Sequence, residues 1–296
     1  MKLSILLSLV MVFSPLVLAG SKDSLPNWNS GLSKTRLSQF IRDASDPEAK
    51  NYIAKEDRIA VFDVDGTLWV EKPNYAQLDF VLSLKANELA MANPKSEKDL
   101  LALSSAVFKG VSEKKYQQYA REFLLRKSRH SRYDKKQAQL VYRPMLELMA
   151  MLREHDFEIY LCTGSDEGLI RSVSQELFSV PPQNVIAQNV SYVMSDGELV
   201  RSGVYRTPIN LAEGKVSNLQ HRLGKAPVLA VGNSMGDYHM LKWVSRSGGL
   251  AALLVHDDEQ REYDYGKKNK KLAKAFSDID IVNISMREEF LQLFDD

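Results

Sequence analysis

Short apolar segments alternate with helical patterns through the second half of the chain, and this alternation constrains the fold more than any other feature of the sequence. Segments between the apolar stretches repeat apolar residues at helical spacing, as in residues 144–152. Strands that alternate with helices form a mostly parallel sheet covered by helices on both faces. The sequence therefore predicts an α/β fold with a Rossmann-like parallel sheet. The predicted strands after residue 140 include FEIYLCTG (157–164), PVLAVGN (227–233), LAALLVH (250–256) and IDIVNI (279–284).

The first 19 residues form a segment of a different kind. Lys2 precedes an apolar run that is short for a membrane span, and the run ends in Val17-Leu18-Ala19 before Gly20. This pattern is typical of a secretory signal peptide cleaved after Ala19. We expect a periplasmic or secreted protein of bacterial type, with no stable membrane anchor after cleavage. An uncleaved anchor is the alternative.

The charge balance and the single cysteine narrow the function classes. The chain has 39 Lys and Arg residues against 38 Asp and Glu residues. A chain with nearly balanced charge does not produce the long-range positive electrostatic field of a general nucleic-acid binder. No nucleic-acid partner is therefore expected. The one cysteine, Cys162, excludes an intramolecular disulfide and is best explained as a small buried side chain.

A strand and a long helical insertion open the fold. Residues 58–63 are apolar through their middle and predict a first strand buried on both faces. Residues 76–139 then repeat leucine and valine at helical spacing with few glycines. We predict a core domain from residues 20–75 and 140–296, with residues 76–139 as a helical cap domain inserted after the first motif. Asp196-Gly197 between apolar flanks predicts the tip of a β-hairpin.

Polar residues and one glycine fall at the ends of the predicted strands or at a helix start. In a parallel sheet the carboxyl ends of the strands meet at one edge, where ligands bind. Residues far apart in sequence would therefore meet there. They are Asp63 and Asp65 after the first strand, Thr163 and Gly164 after the second, Lys215 at a helix start, and Asn233 and Asp237 after a later strand.

This set of side chains suits a metal ion and a phosphate group. Three carboxylates at one edge repel one another unless a cation lies between them. Mg²⁺ prefers such oxygen ligands. A bound cation would attract a phosphate, to which Thr163 and the backbone N–H of Gly164 can donate hydrogen bonds, while Lys215 adds positive charge.

Each of these residues also has a structural explanation. Asp63 and Asp65 suit an ordinary solvated turn, because aspartate and glycine are frequent turn residues. Thr163 suits a helix N-cap. Lys225 competes with Lys215 for the role of the cation at this edge.

Three sequence strings and one lysine, in chain order, resemble the four motifs of the haloacid dehalogenase-like (HAD) superfamily of aspartate-nucleophile phosphohydrolases. They are DVDGT (63–67), LCTG (161–164), Lys215 and GNSMGDYHML (232–241). The resemblance covers roughly residues 25–294. Longer strings such as VYRPMLELMAML and LLVHDDEQREYDY resemble a secreted bacterial branch of phosphoserine-phosphatase-like proteins, whose members are often described as non-specific acid phosphatases.

The resemblance implies a role for each motif residue. Asp63 would attack phosphorus and form an aspartyl-phosphate. Asp65 would protonate the leaving alcohol and then deprotonate water, and its carbonyl would ligate Mg²⁺. Thr163 and Lys215 would hold the phosphoryl oxygens. Asn233 stands where many relatives have an aspartate, so we expect weaker metal binding, with Asp237 as the ionised residue that supports the metal shell.

The sequence therefore predicts a Mg²⁺-dependent phosphomonoester hydrolase that acts on a small phosphorylated metabolite. A phosphotransferase with the same aspartyl-phosphate and a non-catalytic binding protein on this fold are the alternatives, whereas a dehalogenase would not need Asp65. Four further residues either contact substrate or belong to solvated loops, namely Glu71, Arg129, His130 and Arg132.

Overall fold

The computed structural model of the chain describes residues 23–84 and 97–295. The predicted signal peptide, residues 1–19, lies outside this part and stays a prediction. None of the helices within the described residues is long and apolar enough to cross a lipid bilayer. These helices are α1 (Leu32–Ser45), α2 (Ala76–Leu84), α3 (Glu97–Val107), α4 (Glu113–Glu122), α5 (Arg143–Glu154), α6 (Glu167–Arg171), α7 (Ser174–Phe178), α8 (Glu213–Leu223), α9 (Tyr238–Arg246), α10 (Lys267–Ala275) and α11 (Met286–Glu289).

A parallel sheet of six strands forms the centre of the molecule, which confirms the predicted α/β fold. Its order is β3-β2-β1-β6-β7-β8, and every neighbouring pair is parallel. Phe62 of β1 lies opposite Leu161 of β2 and Val231 of β6. Phe62, Leu161 and Val231 are therefore level, near the point where the strand order reverses and ligands bind. The strands are β1 (Ile59–Phe62), β2 (Glu158–Asp166), β3 (Val185–Gln188), β6 (Leu229–Gly232), β7 (Leu250–Val255) and β8 (Ile281–Ser285).

Helices cover both faces of this sheet. Ala60 and Phe62 point into a core shared with α1 and α5. Ile59 and Val61 point to the other face, into a core shared with α8, α9 and α10. This double burial explains why β1 is apolar at every position, because alternate side chains of a strand lie on opposite faces.

Two local predictions differ from the structure. Residues 166–178 predict one helix but form two, α6 and α7, with a break at Val173. Just before the break, the Ser172 hydroxyl donates to the Leu169 carbonyl at 2.7 Å, a local bond that competes with helix continuation. Strand β2 also runs on to Asp166 instead of turning at Gly164.

A β-hairpin packs on the helical insertion, and the proposed cap boundaries, residues 76–139, leave it out. Strands β4 (Val190–Ser195) and β5 (Glu198–Tyr205) are antiparallel. Asp196 and Gly197 both have positive φ at the tip, which confirms the predicted hairpin turn. The backbone N–H of Arg201 in β5 donates to the Val111 carbonyl at 3.0 Å, so the hairpin is tied to the loop between α3 and α4.

Arg201 links the insertion to the core through buried charges. Its guanidinium lies 2.8 Å from a Glu113 oxygen of α4 and forms a second ion pair with Asp166 at the end of β2. It also lies 3.8 Å from the centre of the Tyr116 ring. Only 2% of Arg201 is exposed, so solvent screens neither ion pair well.

The Arg201→Met variant is expected to lose about 3–5 kcal/mol of unfolding free energy, since two carboxylates lose their shared buried cation. Urea unfolding of the purified protein measures this loss. Arg206→Met is the matched control, because Arg206 is an exposed arginine one residue after β5 and should change stability by less than about 0.5 kcal/mol. Equal losses of unfolding free energy in the two variants would contradict the stabilising contribution assigned to the Arg201 ion pairs.

Candidate active site

A tight turn after β1 carries two buried carboxylates. The Asp63 N–H donates to the Val231 carbonyl at 2.9 Å, so the backbone of this aspartate is still hydrogen-bonded to the neighbouring strand β6. Gly66 then adopts a φ of +76°, and a Cβ there would collide with the Asn233 amide. Glycine is required on both counts. The turn therefore fixes Asp63 and Asp65 at the sheet edge instead of exposing them to solvent.

Lys215 lies between two carboxylates at this edge. Its Nζ is 2.6 Å from Oδ1 of Asp63 and 2.7 Å from Oδ1 of Asp237, and all three side chains are buried. Burial alone would lower the pKa of Lys215, but the charges of Asp237 and Asp63 outweigh it and raise the pKa well above the ordinary value. Lys215 is therefore an ammonium. Burial and the charge of Asp237 raise the pKa of the Asp63 carboxyl well above its ordinary value, and the Lys215 ammonium opposes that shift.

The competing lysine lies elsewhere. Lys225 forms an ion pair with Asp57 and donates to the Glu56 carbonyl on the protein surface. The structure thus brings Lys215, and not Lys225, to the carboxylates at the end of β1.

Asp237 holds the loop after β6 as well as Lys215. Its Oδ2 accepts hydrogen bonds from the backbone N–H groups of Asn233 and Ser234, each at 3.0 Å. Gly232 is required beside it, because a Cβ on this glycine would overlap the Asp237 carboxyl. Both oxygens of Asp237 thus have protein partners, and its carboxylate positions Lys215 and the Asn233 loop.

Asp65 points to a different set of donors. Its Oδ2 accepts from the Ser165 hydroxyl at 2.7 Å and lies 3.3 Å from the Thr163 hydroxyl. Its Oδ1 accepts from the indole N–H of Trp69 at 2.8 Å. Asp65 is therefore oriented apart from the Lys215 cluster, so the two aspartates can serve different chemical steps.

The oxygen atoms beside Asp63 suit a hard divalent cation. Thr67 Oγ1 lies 3.2 Å from Oδ2 of Asp63 and 3.4 Å from Oδ1 of Asn233. Within residues 23–84 and 97–295, no three His, Cys, Asp or Glu side chains are grouped so that they could hold a metal ion. A cation would therefore depend on one carboxylate, the Asn233 amide oxygen and the predicted Asp65 carbonyl. All three are oxygen donors of the kind that Mg²⁺ takes.

A small cavity of about 50 Å³ opens onto these groups. Gly164 lies in its wall, and a Cβ on Gly164 would collide with Leu211. The predicted nucleophile, the predicted acid and the predicted phosphate donors thus line one cavity. The cavity is lined by Asp63, Asp65, Thr163, Gly164, Ser165 and Lys215 and, among others, by Glu71, Tyr75, Gln77 and Leu101.

A model of the family described as haloacid dehalogenase-like hydrolase matches residues 60–242, which is more than half of the chain. The chain belongs to this family. The match confirms the predicted family and agrees with the parallel sheet, and it identifies the protein as a HAD-type hydrolase. No curated protein matches the chain.

Solved structures share the fold at low sequence identity. A conserved protein of unknown function from Anaerococcus prevotii DSM 20548 is 12% identical, with a TM-score of 0.58 over 88% of this chain and 94% of that one. A protein of unknown function from Bordetella pertussis Tohama I is 16% identical, with a TM-score of 0.52 over 76% of this chain and 97% of that one. At these identities the likeness shows the fold alone.

Glu71 is placed in the cavity of this HAD hydrolase, supported by residues from beyond β7. The Tyr265 hydroxyl donates to Oε1 of Glu71 at 2.8 Å, and burial raises the pKa of the Glu71 carboxyl. His256 lies behind the turn, with Nε2 2.7 Å from the Gly66 carbonyl and Nδ1 2.8 Å from Glu262. His256 thus holds the backbone next to Asp65.

The basic residues at the end of the insertion do not line this cavity. Arg129 pairs with Asp134, and Arg132 donates to the Gln260 carbonyl. His130 borders a separate depression that it shares with Arg129. Of the four further residues considered from the sequence, the structure brings only Glu71 to the predicted catalytic groups.

Sequence reasoning missed Ser165, Trp69, Gln77 and the positioning role of His256. Ser165 lies two residues after Thr163, and alternate residues of a strand share a face. Ser165 could therefore have been predicted beside Thr163, but only if the strand had been predicted to extend to Asp166. The predicted role of Cys162 agrees with the structure, since the side chain is buried and burial raises the pKa of its thiol to about 12.

Proposed function

We propose that this HAD hydrolase is a Mg²⁺-dependent phosphomonoester hydrolase that forms an aspartyl-phosphate on Asp63. The observation that carries the proposal is the arrangement of the two aspartates. Asp63 is held by the Lys215 ammonium at 2.6 Å, while Asp65 is held separately by Ser165 at 2.7 Å. A nucleophile and an acid–base group with different partners are what a two-step displacement requires.

The reaction divides between these aspartates. A carboxylate oxygen of Asp63 attacks phosphorus, the bond between phosphorus and the alcohol oxygen breaks, and protonated Asp65 gives its proton to that oxygen. Asp65 then takes a proton from water, which attacks the same phosphorus. Inorganic phosphate leaves and the Asp63 carboxylate is regenerated. Lys215, fixed by Asp237, offsets the negative charge of Asp63 and of the phosphoryl group.

Thr163 and Gly164 are proposed to bind the phosphoryl oxygens. Both lie at the end of β2 in the wall of the cavity that contains Asp63 and Lys215. The Thr163 oxygen also accepts the Ser165 N–H at 3.1 Å, so the hydroxyl hydrogen is free to donate to a ligand or to Asp65.

Mg²⁺ would be held by Asp63, the carbonyl of Asp65 and Asn233, with Asp237 fixing the loop that carries Asn233. When bound, the cation neutralises phosphoryl charge and orients the ester for attack.

Asn233 contributes an oxygen but no charge, so we expect Asn233→Asp to lower the Mg²⁺ concentration needed for half-maximal rate.

Chelation should abolish most of the activity. We expect the purified protein to hydrolyse p-nitrophenyl phosphate, to lose at least about tenfold in rate with excess EDTA, and to recover when Mg²⁺ is added. Release of nitrophenol and of inorganic phosphate is followed in parallel. Hydrolysis that is insensitive to EDTA would contradict the metal assignment, whereas nitrophenol without equivalent phosphate, in the presence of added ethanediol, would indicate the phosphotransferase.

A further inference from the structure

Gln77 is a buried amide in the catalytic cavity with a half-satisfied side chain. It lies in the first turn of α2, is 1% exposed, and lines the same space as Asp63 and Asp65. Its Oε1 accepts the Asp166 N–H at 2.8 Å. Since only the oxygen end can accept from an N–H, this contact fixes the orientation of the amide and makes Nε2 the other end.

The Nε2 donor of Gln77 is buried and has no hydrogen-bond partner in the part of the chain that the structure describes. Most buried polar side-chain atoms in folded proteins are paired, because an unpaired donor costs free energy. Gln77 lines the catalytic cavity, and a ligand oxygen that reached Nε2 there would pair this donor.

The position of Gln77 indicates which part of the ligand it meets. Asp166, to which it is bonded, directly follows Ser165, and the Ser165 hydroxyl lies 2.7 Å from the carboxylate of Asp65. In the proposed function Asp65 serves the oxygen of the leaving alcohol, whereas Lys215 serves the phosphoryl group. Gln77 is therefore bonded to the peptide N–H that directly follows Ser165, the partner of the acid, and it lies in α2, not in the sheet.

We propose that Nε2 of Gln77 donates a hydrogen bond to a hydroxyl oxygen on the alcohol part of the substrate. The substrate class is then phosphate monoesters of polyols or sugars, and this inference rests on the proposed phosphatase function. Glu71 lines the same cavity and is 7% exposed. A hydroxyl can accept from Gln77 and donate to an oxygen of Glu71, whereas a carboxylate can only accept.

Three esters separate these chemistries. n-Propyl phosphate has no oxygen beyond the ester, glycerol 1-phosphate has hydroxyls, and phosphoglycolate has a carboxylate. Wild-type kcat/KM should be at least about tenfold higher for glycerol 1-phosphate than for either other ester. Gln77→Glu keeps the acceptor for the Asp166 N–H, and Gln77→Met removes the amide without adding charge. Each should lower kcat/KM about tenfold for glycerol 1-phosphate and less than about threefold for n-propyl phosphate.

Gln137→Met is the matched control. Gln137 is also a buried glutamine, but its Nε2 already donates to the Val70 carbonyl at 2.9 Å and it lies outside the catalytic cavity. The ratio of kcat/KM values for the two esters should not change in this variant. A ratio within one preparation does not depend on the folded fraction, so it stays informative if one Gln77 variant is unstable.

Two results would overturn the inference. An equal loss of kcat/KM on n-propyl phosphate and glycerol 1-phosphate would place the Gln77 amide on the phosphoryl group. Unchanged kcat/KM values for both esters in both variants would limit Gln77 to holding the Asp166 backbone. Failure of the proposed function has a different signature, since wild-type protein with Mg²⁺ would then hydrolyse none of the esters.

Discussion

Asp63→Asn is expected to abolish turnover, with a fall in kcat of about 10⁴-fold or more, because an amide does not attack phosphorus. Asp65 is bound to Ser165 and Trp69, and Asp237 is bound to Lys215 and the Asn233 loop, so each carboxylate is already held in another position. The decrease should therefore be the same for every phosphate monoester tested. Initial rates with saturating Mg²⁺ measure it.

The folded state should survive this substitution. The introduced asparagine side chain keeps the volume of the aspartate, and Asp237 still neutralises Lys215 at 2.7 Å. Circular dichroism and thermal unfolding check that point, and Asp57→Asn, at an exposed surface ion pair with Lys225, is the control for loss of an aspartate. Wild-type enzyme that is incubated with an ester labelled in its phosphoryl group and then quenched with acid should carry the label. The Asp63→Asn variant should not carry it. Near-normal activity in that variant would rule out the aspartyl-phosphate on Asp63.

The placement of the main residues could be predicted because it follows from sheet geometry alone. Asp63 and Asn233 each follow a strand, and Thr163 lies in β2 just beyond the level at which β1 ends. Parallel strands in register bring such positions together whatever the loops do. Sheet geometry alone could not decide between Lys215 and Lys225 as the cation at this edge. The choice of Lys215 depended on its resemblance to the third family motif.

The orientation of these side chains could not be predicted in the same way. Asp65 turns away from Lys215 because Trp69 and Ser165 donate to it, and both contacts depend on packing that periodicity does not encode. Gln77 lies in the cavity only because α2 packs where its carbonyl oxygen meets the Asp166 N–H. The β-hairpin joins the insertion through Arg201, a charge whose partners, Glu113 and Asp166, are distant in sequence.

The Arg201 and Lys215 clusters differ in their access to ligand. At Arg201 two carboxylates share a cation, and the site is closed by Tyr116. At Lys215 two carboxylates also share one cation, but Asp63 and Lys215 line a cavity. A ligand in the cavity can therefore contact the Lys215 cluster, whereas Tyr116 covers the Arg201 cluster.

Lys215→Met should damage catalysis and stability together. Removal of the ammonium leaves Asp63 and Asp237 as two buried carboxylates without a counter-ion, and we expect a loss of about 3–5 kcal/mol in unfolding free energy. The rate should fall about 10³-fold, because the phosphoryl charge and the nucleophile lose their fixed cation. Urea unfolding and initial rates on p-nitrophenyl phosphate measure the two effects.

The pH dependence of the stability loss has a definite sign. Without Lys215 the two carboxylates repel each other, which raises the folded-state pKa of one of them above its unfolded value. Such a group favours the folded state at low pH and loses that contribution as pH rises through the raised pKa. The variant should therefore be closest to wild type at about pH 5 and furthest from it at about pH 8 in metal-free buffer.

A second substitution separates stability from catalysis in this cluster. Lys215→Met combined with Asp237→Asn removes one of the two repelling charges, so the double variant should recover part of the unfolding free energy. It should not recover the rate, because Asp63 still lacks the ammonium at 2.6 Å and the loop of Asn233 loses its carboxylate acceptor. If the rate returned with the stability, Lys215 would act only as a structural counter-ion to the two carboxylates, and its proposed contact with the phosphoryl group would be wrong.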